Sequence, residues 1–90
     1  MKIIFKHSSR CPISIRAKHE MDRFVKNNPS EIEYEIVDVI DNRKRSDEIV
    51  QIYGIRHESP QVIILDENGH VKWHASHYTI TEEHLKQAIS

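Results

Sequence analysis

The chain has little to staple or punctuate it: one cysteine, two glycines and three prolines in 90 residues. A single cysteine forms no internal disulfide, and small secreted domains usually rely on several. A disulfide scaffold is therefore excluded, and a reducing cytoplasm is the expected setting. Charge of one sign is missing too. The formal net charge is −1, so no global field draws the chain to nucleic acid or to an acidic membrane surface. No apolar stretch approaches the roughly 20 residues of a membrane span, and the apolar run in the opening MKIIFKHSS is too short for a signal peptide. Repeats, low-complexity tracts and linkers are also lacking. What remains is a single domain over residues 1–90, 38% apolar and 30% charged. A chain of this size buries only roughly 60–65% of its unfolded surface, so it holds one thin core.

The apolar pattern alternates between strand and helix. Ile3, Ile4 and Phe5 form a continuous apolar run, as in a strand buried on both faces. Pro12 suits the first turn of a helix, where its missing N–H is not needed. Ile13, Ala17, Met21, Phe24 and Val25 then recur at helical spacing until Asn27, Asn28 and Pro29 stop them. Tyr34, Ile36, Val37 and Val39 read as a second strand, and the intervening crossover predicts parallel pairing with the first. A second helix is predicted with Asp41 or Ser46 as its cap, Ile49, Val50, Ile52 and Tyr53 as its apolar positions, and Gly54 at its end. Val62–Leu65 is a third strand, Asn68 and Gly69 mark a hairpin turn, and Val71, Trp73 and Ala75 alternate through a fourth. Thr81 opens a last helix that turns Leu85, Ala88 and Ile89 inward. The predicted class is α/β, in the order βαβαββα, with a central four-stranded mixed sheet flanked by helices.

Cys11 stands where the first strand has ended and the first helix begins. A free thiol with a pKa near 8.5 is mostly protonated at neutral pH, and a helix N-terminus or a neighbouring cation lowers that value. Cys11 has both influences in its sequence context: the unpaired N–H groups of the helical first turn, and the adjacent Arg10. It is the expected nucleophile. Lys6 and His7 are further cations within reach, in a direction the sequence does not give.

The phrases FKHSSRCPIS, HESPQVIIL and HASHYTIT, set in this element order, resemble the thioredoxin fold over essentially the whole chain, and within it the bacilliredoxins of the YtxJ type. That family is associated with bacillithiol, the low-molecular-weight thiol that many Firmicutes use in place of glutathione. The resemblance implies that Cys11 and Ser14 are the catalytic pair of a CxxS motif. Ser14 replaces the resolving cysteine of dithiol enzymes, so an adduct on Cys11 must be released by a second thiol from solution. Ser14 then supports by donating a hydrogen bond to the sulfur. The resemblance further implies a cis Pro60 and a thiol-binding groove made with Arg10, Pro12, Ser59 and Gln61. The family often carries a small hydroxyl residue before the cysteine, and Arg10 departs from that.

The implied activity is removal of bacillithiol from protein mixed disulfides. Bacillithiol serves as co-substrate, bacillithiolated proteins as partners, and the enzyme acts as a monomer with no bound cofactor. The seven histidines do not show the paired spacing of a zinc site, so no metal is expected. His74 and His77 belong to the HASH phrase and are expected either near the active-site end or simply exposed. Competing readings are a non-catalytic thioredoxin-like adaptor, a redox sensor, and a glutaredoxin-like or iron–sulfur protein; against the last two, Gly69 stands alone where glutaredoxins carry a double glycine.

Overall fold

Four strands form one sheet in the order β2-β1-β3-β4: β1 Lys2–His7, β2 Glu33–Asp38, β3 Gln61–Leu65 and β4 Val71–Ser76. The computed structural model describes residues 1–27 and 32–90. β1 runs parallel to β2 and antiparallel to β3, and β3 is antiparallel to β4. The helices are α1 Pro12–Asn27, α2 Arg43–Tyr53 and α3 Glu82–Ile89, with a 3₁₀ turn at His77–Thr79. The predicted βαβαββα order and mixed sheet are therefore present, with the 3₁₀ turn added before α3. The α1 helix runs to Asn27, while Asn28 and Pro29, its expected stop, lie outside the described residues.

The sheet is covered on both sides, which is why β1 and β3 read as unbroken apolar runs. On one face Ile3, Phe5, Val62 and Ile64 pack with Ala17, Met21 and Phe24 of α1 and Leu85 of α3. On the other, Ile4, Val37, Ile63 and Leu65 pack against Ile49 of α2. Each of these side chains larger than Ala17 contributes about 1.5–3 kcal/mol by leaving water. α3 is tied to α1 by polar contacts: the Glu82 N–H donates to Glu20 Oε1 at 3.0 Å, and Asn27 Nδ2 donates to Glu82 Oε2 at 2.6 Å. Thr81 caps α3, its hydroxyl accepting from the His84 N–H.

Several expectations are corrected. The cap of α2 is Asn42, whose side chain accepts from the Arg45 N–H, and not Asp41 or Ser46. The reason is Asp38: its Oδ1 accepts from the N–H groups of Ile40 and Asp41 and turns the chain before the helix can start. Val39 falls in that turn, beyond the end of β2. Ile52 is 62% exposed, on the side of α2 away from the sheet, and Ile36 is 46% exposed because β2 is an edge strand. In the β3–β4 connection only Gly69 takes a left-handed φ, +81°. Asp66 shapes the rest of the turn, its Oδ1 accepting from the Asn68 and His70 N–H groups.

Candidate functional site

The strand registers decide which loops meet. His7, the last residue of β1, pairs with Asp38 at the end of β2, and Lys6 pairs with Gln61 at the start of β3. Pro60 therefore sits next to His7, and the Cys11 loop, the β2–α2 turn and the proline loop all leave the sheet at one end. Gln61 also pairs with Ser76, so the β4–α3 connection joins them there.

Cys11 is the residue at which α1 starts. Its carbonyl accepts from the Ile15 N–H at 3.0 Å, and its own N–H donates to Ser8 O at 3.2 Å. Pro12, exposed, then occupies the first helical position. The Ile13 and Ser14 N–H groups have no acceptor among the described residues, so the positive end of the helix lies at Cys11. Cys11 is partly exposed. Arg10 is exposed beside it, and its charge is among those that hold the Asp38 carboxyl down, after the Asp41 and Ile40 N–H bonds that dominate.

Ser14 is fully buried, and its hydroxyl bonds elsewhere than the sequence suggests. Ser14 Oγ lies 2.9 Å from His7 Nδ1 and accepts from the Ser8 N–H at 2.9 Å. Among the described residues its partners are these two, in place of the expected bond to the Cys11 sulfur. The cause is strand alternation. His7 follows Phe5 on the α1 face of the sheet, stacks on its ring at 5.5 Å, and so points at the first turn of α1. Burial pushes the His7 imidazole below its usual pKa, against the opposing pull of Asp38.

The Ser59–Pro60 peptide is cis and Pro60 is buried. Pro60 O accepts from the His77 N–H at 3.0 Å, whereas neither backbone group of Ser59 has a hydrogen-bond partner among the described residues. Glu58 anchors this loop: it accepts from Ser76 Oγ at 3.0 Å and lies 3.9 Å from His77 Nδ1. His77, at φ +56°, turns the chain back toward Pro60. The HESPQ and HASH phrases thus touch each other at the site end of the sheet. His77 belongs to that contact, while His74 pairs with Ile63 and is exposed further along β4.

Gln61 does not line an open groove. It is fully buried on the α2 face, and its Nε2 donates to Arg56 O at 3.0 Å. Lys6, its register partner, is also fully buried and points away from Cys11 into the α2 side, where desolvation pushes its pKa down. The contributions of His7, Glu58 and Ser76 were not legible from spacing. Only the alternation Phe5–His7, extended past the apolar run, could have placed His7. Among the described residues no three histidine, cysteine or acidic side chains converge as a metal would require, and no helix is long and apolar enough to cross a membrane.

The site presents one partly exposed thiol at a helix N-terminus, a serine where a second thiol would resolve an adduct, and a free backbone edge at Ser59. That is the equipment for thiol–disulfide exchange with one protein sulfur. Comparison with known proteins agrees. The family model described as monothiol bacilliredoxin BrxC matches residues 1–85. A solved structure of a candidate oxidoreductase with a thioredoxin fold is 31% identical, superposes with a TM-score of 0.89, and is matched over 99% of this chain and 77% of its own. Thioredoxin 1 from Thermosipho africanus is 21% identical with a TM-score of 0.76, covering 99% and 90% of the two chains, and shares the fold.

Proposed function

The chain belongs to the monothiol bacilliredoxin family, and from that premise we propose that it removes bacillithiol from protein mixed disulfides through Cys11. The observation that carries this reading is the site's single sulfur: Cys11 is the only cysteine in the sequence, and the side chain at the resolving position is a hydroxyl held by His7 and Ser8.

The cycle has two exchanges. In the first, the Cys11 thiolate attacks the bacillithiol sulfur of a protein–bacillithiol disulfide. That S–S bond breaks, its electron pair leaves on the substrate's cysteine, which takes a proton from water, and bacillithiol is now joined to Cys11. In the second, the thiolate of a free bacillithiol attacks the same sulfur. Cys11 leaves as thiolate and bacillithiol disulfide is released. The net change is one mixed disulfide and one thiol to one protein thiol and one symmetric disulfide, balanced in atoms and electrons.

The chain's own residues supply position and charge. The α1 N-terminus stabilises the thiolate both before attack and as it leaves. The Ser59 N–H and C=O, without a partner among the described residues, offer a substrate backbone a short β-bridge beside the sulfur, with Pro60 fixing the edge. Pro12 and Arg10, exposed at the rim, meet the incoming thiol. A free thiol needed in reduced form suits a reducing cytoplasm, and the enzyme acts as a monomer.

The test is the intact mass of the reduced protein after brief exposure to bacillithiol disulfide and, separately, to glutathione disulfide, with Cys11→Ala as control. The expected result is a single bacillithiol adduct on Cys11 that free bacillithiol removes. Preference for glutathione would move the protein to glutaredoxin-like chemistry, and no adduct from either disulfide would leave it an adaptor.

A further inference from the structure

We infer that the cavity between α2 and the segment leading to Pro60 is a binding site for a small carboxylate, one that carries a single negative charge and a short apolar body. It lies on the α2 face of the sheet, opposite α1, and does not depend on the chemistry proposed for Cys11.

The cavity holds about 360 Å³, enough for a small molecule, and is lined by Val39, Ile40, Arg43, Ser46, Asp47 and His57. Three parts of the chain build it. The turn after β2 brings Val39 and Ile40, the start of α2 brings Arg43, Ser46 and Asp47, and the segment before Pro60 brings His57. Ser46 is buried, and its Oγ lies 3.3 Å from His57 Nδ1, which ties two of the walls together. α2 begins at Arg43 behind its Asn42 cap, so the positive end of an 11-residue helix opens at the same place.

The charges decide what the cavity takes. Neither Arg43 nor Asp47 is in an ion pair among the described residues. Lys6 stands behind the lining. Its strand partners are Val37, just before Val39, and Gln61, just after Pro60. Its side chain is fully buried, and Nζ has no hydrogen-bond partner among the described residues. The charges it works on belong to the cavity. Burial lowers the Lys6 pKa against the pull of Asp47, and burial followed by the Lys6 charge lowers that of His57. A buried ammonium without a counter-ion acts strongly through the low dielectric of the interior. With His57 neutral, Lys6 and Arg43 outweigh Asp47 by one positive charge. A monoanion balances it, whereas a dianion meets repulsion from Asp47. A guanidinium such as that of Arg43 takes a carboxylate in two parallel hydrogen bonds. Val39 and Ile40 offer its carbon chain an apolar wall, and Ile40, 46% exposed, gains cover when the cavity is filled.

The experiment titrates the isotopically labelled protein with sodium propionate at pH 7 and constant ionic strength, following the Ser46 amide and the His57 ring by NMR. Sodium chloride and sodium sulfate are the comparison salts. Wild type is expected to give saturable shifts with propionate, non-saturating shifts with chloride, and weaker binding of sulfate than of propionate. Arg43→Gln, an exposed change, weakens propionate binding about tenfold, as expected for one charge-assisted contact. Lys6→Met weakens it about threefold by removing the buried charge. Asp47→Asn tightens propionate binding and admits sulfate. Shifts that never saturate in wild type, or binding that Arg43→Gln and Lys6→Met leave unchanged, overturn the inference. Sulfate binding tighter than propionate in wild type overturns the assignment to a carboxylate. The Arg43 and Asp47 variants decide the matter even where Lys6→Met misfolds. No thiol enters the assay, so its failure and that of the bacillithiol reading are separate results.

Discussion

Lys6 and Gln61 face each other across β1 and β3, both fully buried, and among the described residues each keeps a polar atom without a hydrogen-bond partner: Lys6 Nζ and Gln61 Oε1. A buried, unpaired ammonium is costly, so the lysine is expected to weaken the fold that contains it. Lys6→Met, of similar length, should raise the free energy of unfolding at pH 7 by about 1–3 kcal/mol in urea titration. The pH dependence has a definite sign. Burial lowers the Lys6 pKa in the folded state, so between that value and the unfolded value near 10.4 the unfolded chain binds more protons and stability rises with pH. The wild type should close the gap to Lys6→Met as pH rises toward 10. A Lys6→Met protein less stable than wild type at pH 7 would show that the amine has a partner.

Glu35 and Arg45 predict the same sign in a different window, at acid pH. Arg45 Nε and Nη2 donate to the two Glu35 oxygens at 2.8 and 2.9 Å, and Lys2 Nζ adds a contact at 3.0 Å. The Arg45 bonds hold the Glu35 carboxyl down at about 2. Stability from this pair is therefore present above the unfolded value near 4.3 and is lost as pH falls toward 2. Glu35→Gln should cost about 1–2 kcal/mol at pH 7 and much less at pH 2, read from denaturant midpoints at the two pH values.

Ser76 and Glu58 hold the proline loop to β4. Removing that bond by Ser76→Ala should leave alkylation by iodoacetamide close to wild type, since the helix N-terminus is untouched. Exchange with a protein mixed disulfide should slow about fivefold, corresponding to one hydrogen bond of about 1 kcal/mol. Equal slowing of both reactions would mean that the loop acts on Cys11 and not on the substrate backbone.

Ser14 stands where a second thiol would resolve an adduct, so Ser14→Cys is predicted to change the cycle rather than stop it. After treatment with bacillithiol disulfide the variant should pass through the adduct to an internal disulfide between Cys11 and the introduced thiol, about two mass units below the reduced protein, without added thiol. A lasting adduct would show that the buried position cannot reach the sulfur.

The sequence made the frame legible because the frame is set by local pattern: Ile3–Phe5 and Val62–Leu65 as buried runs, Gly54 and Thr81 as helix ends, Cys11 and Pro12 at a helix start. It misled where a polar residue obeys a tertiary demand. Lys6 and His7 extend a buried strand that charge alone would end, and Gln61 looks like a groove residue until its register with Lys6 puts it under α2. The Ser14–His7 bond spans seven positions and two elements, so no spacing rule announces it. The Glu58–Ser76 contact likewise depends on β3 and β4 being neighbours.

The most direct test of the central claim is to incubate a bacillithiolated substrate protein with free bacillithiol and catalytic amounts of wild type or Cys11→Ala, following the substrate's mass with time. The account predicts loss of bacillithiol from the substrate, release of bacillithiol disulfide over many turnovers with wild type, and none above background with Cys11→Ala. Equal release by the two proteins, or an adduct that stays on Cys11 after a single turnover, would contradict it.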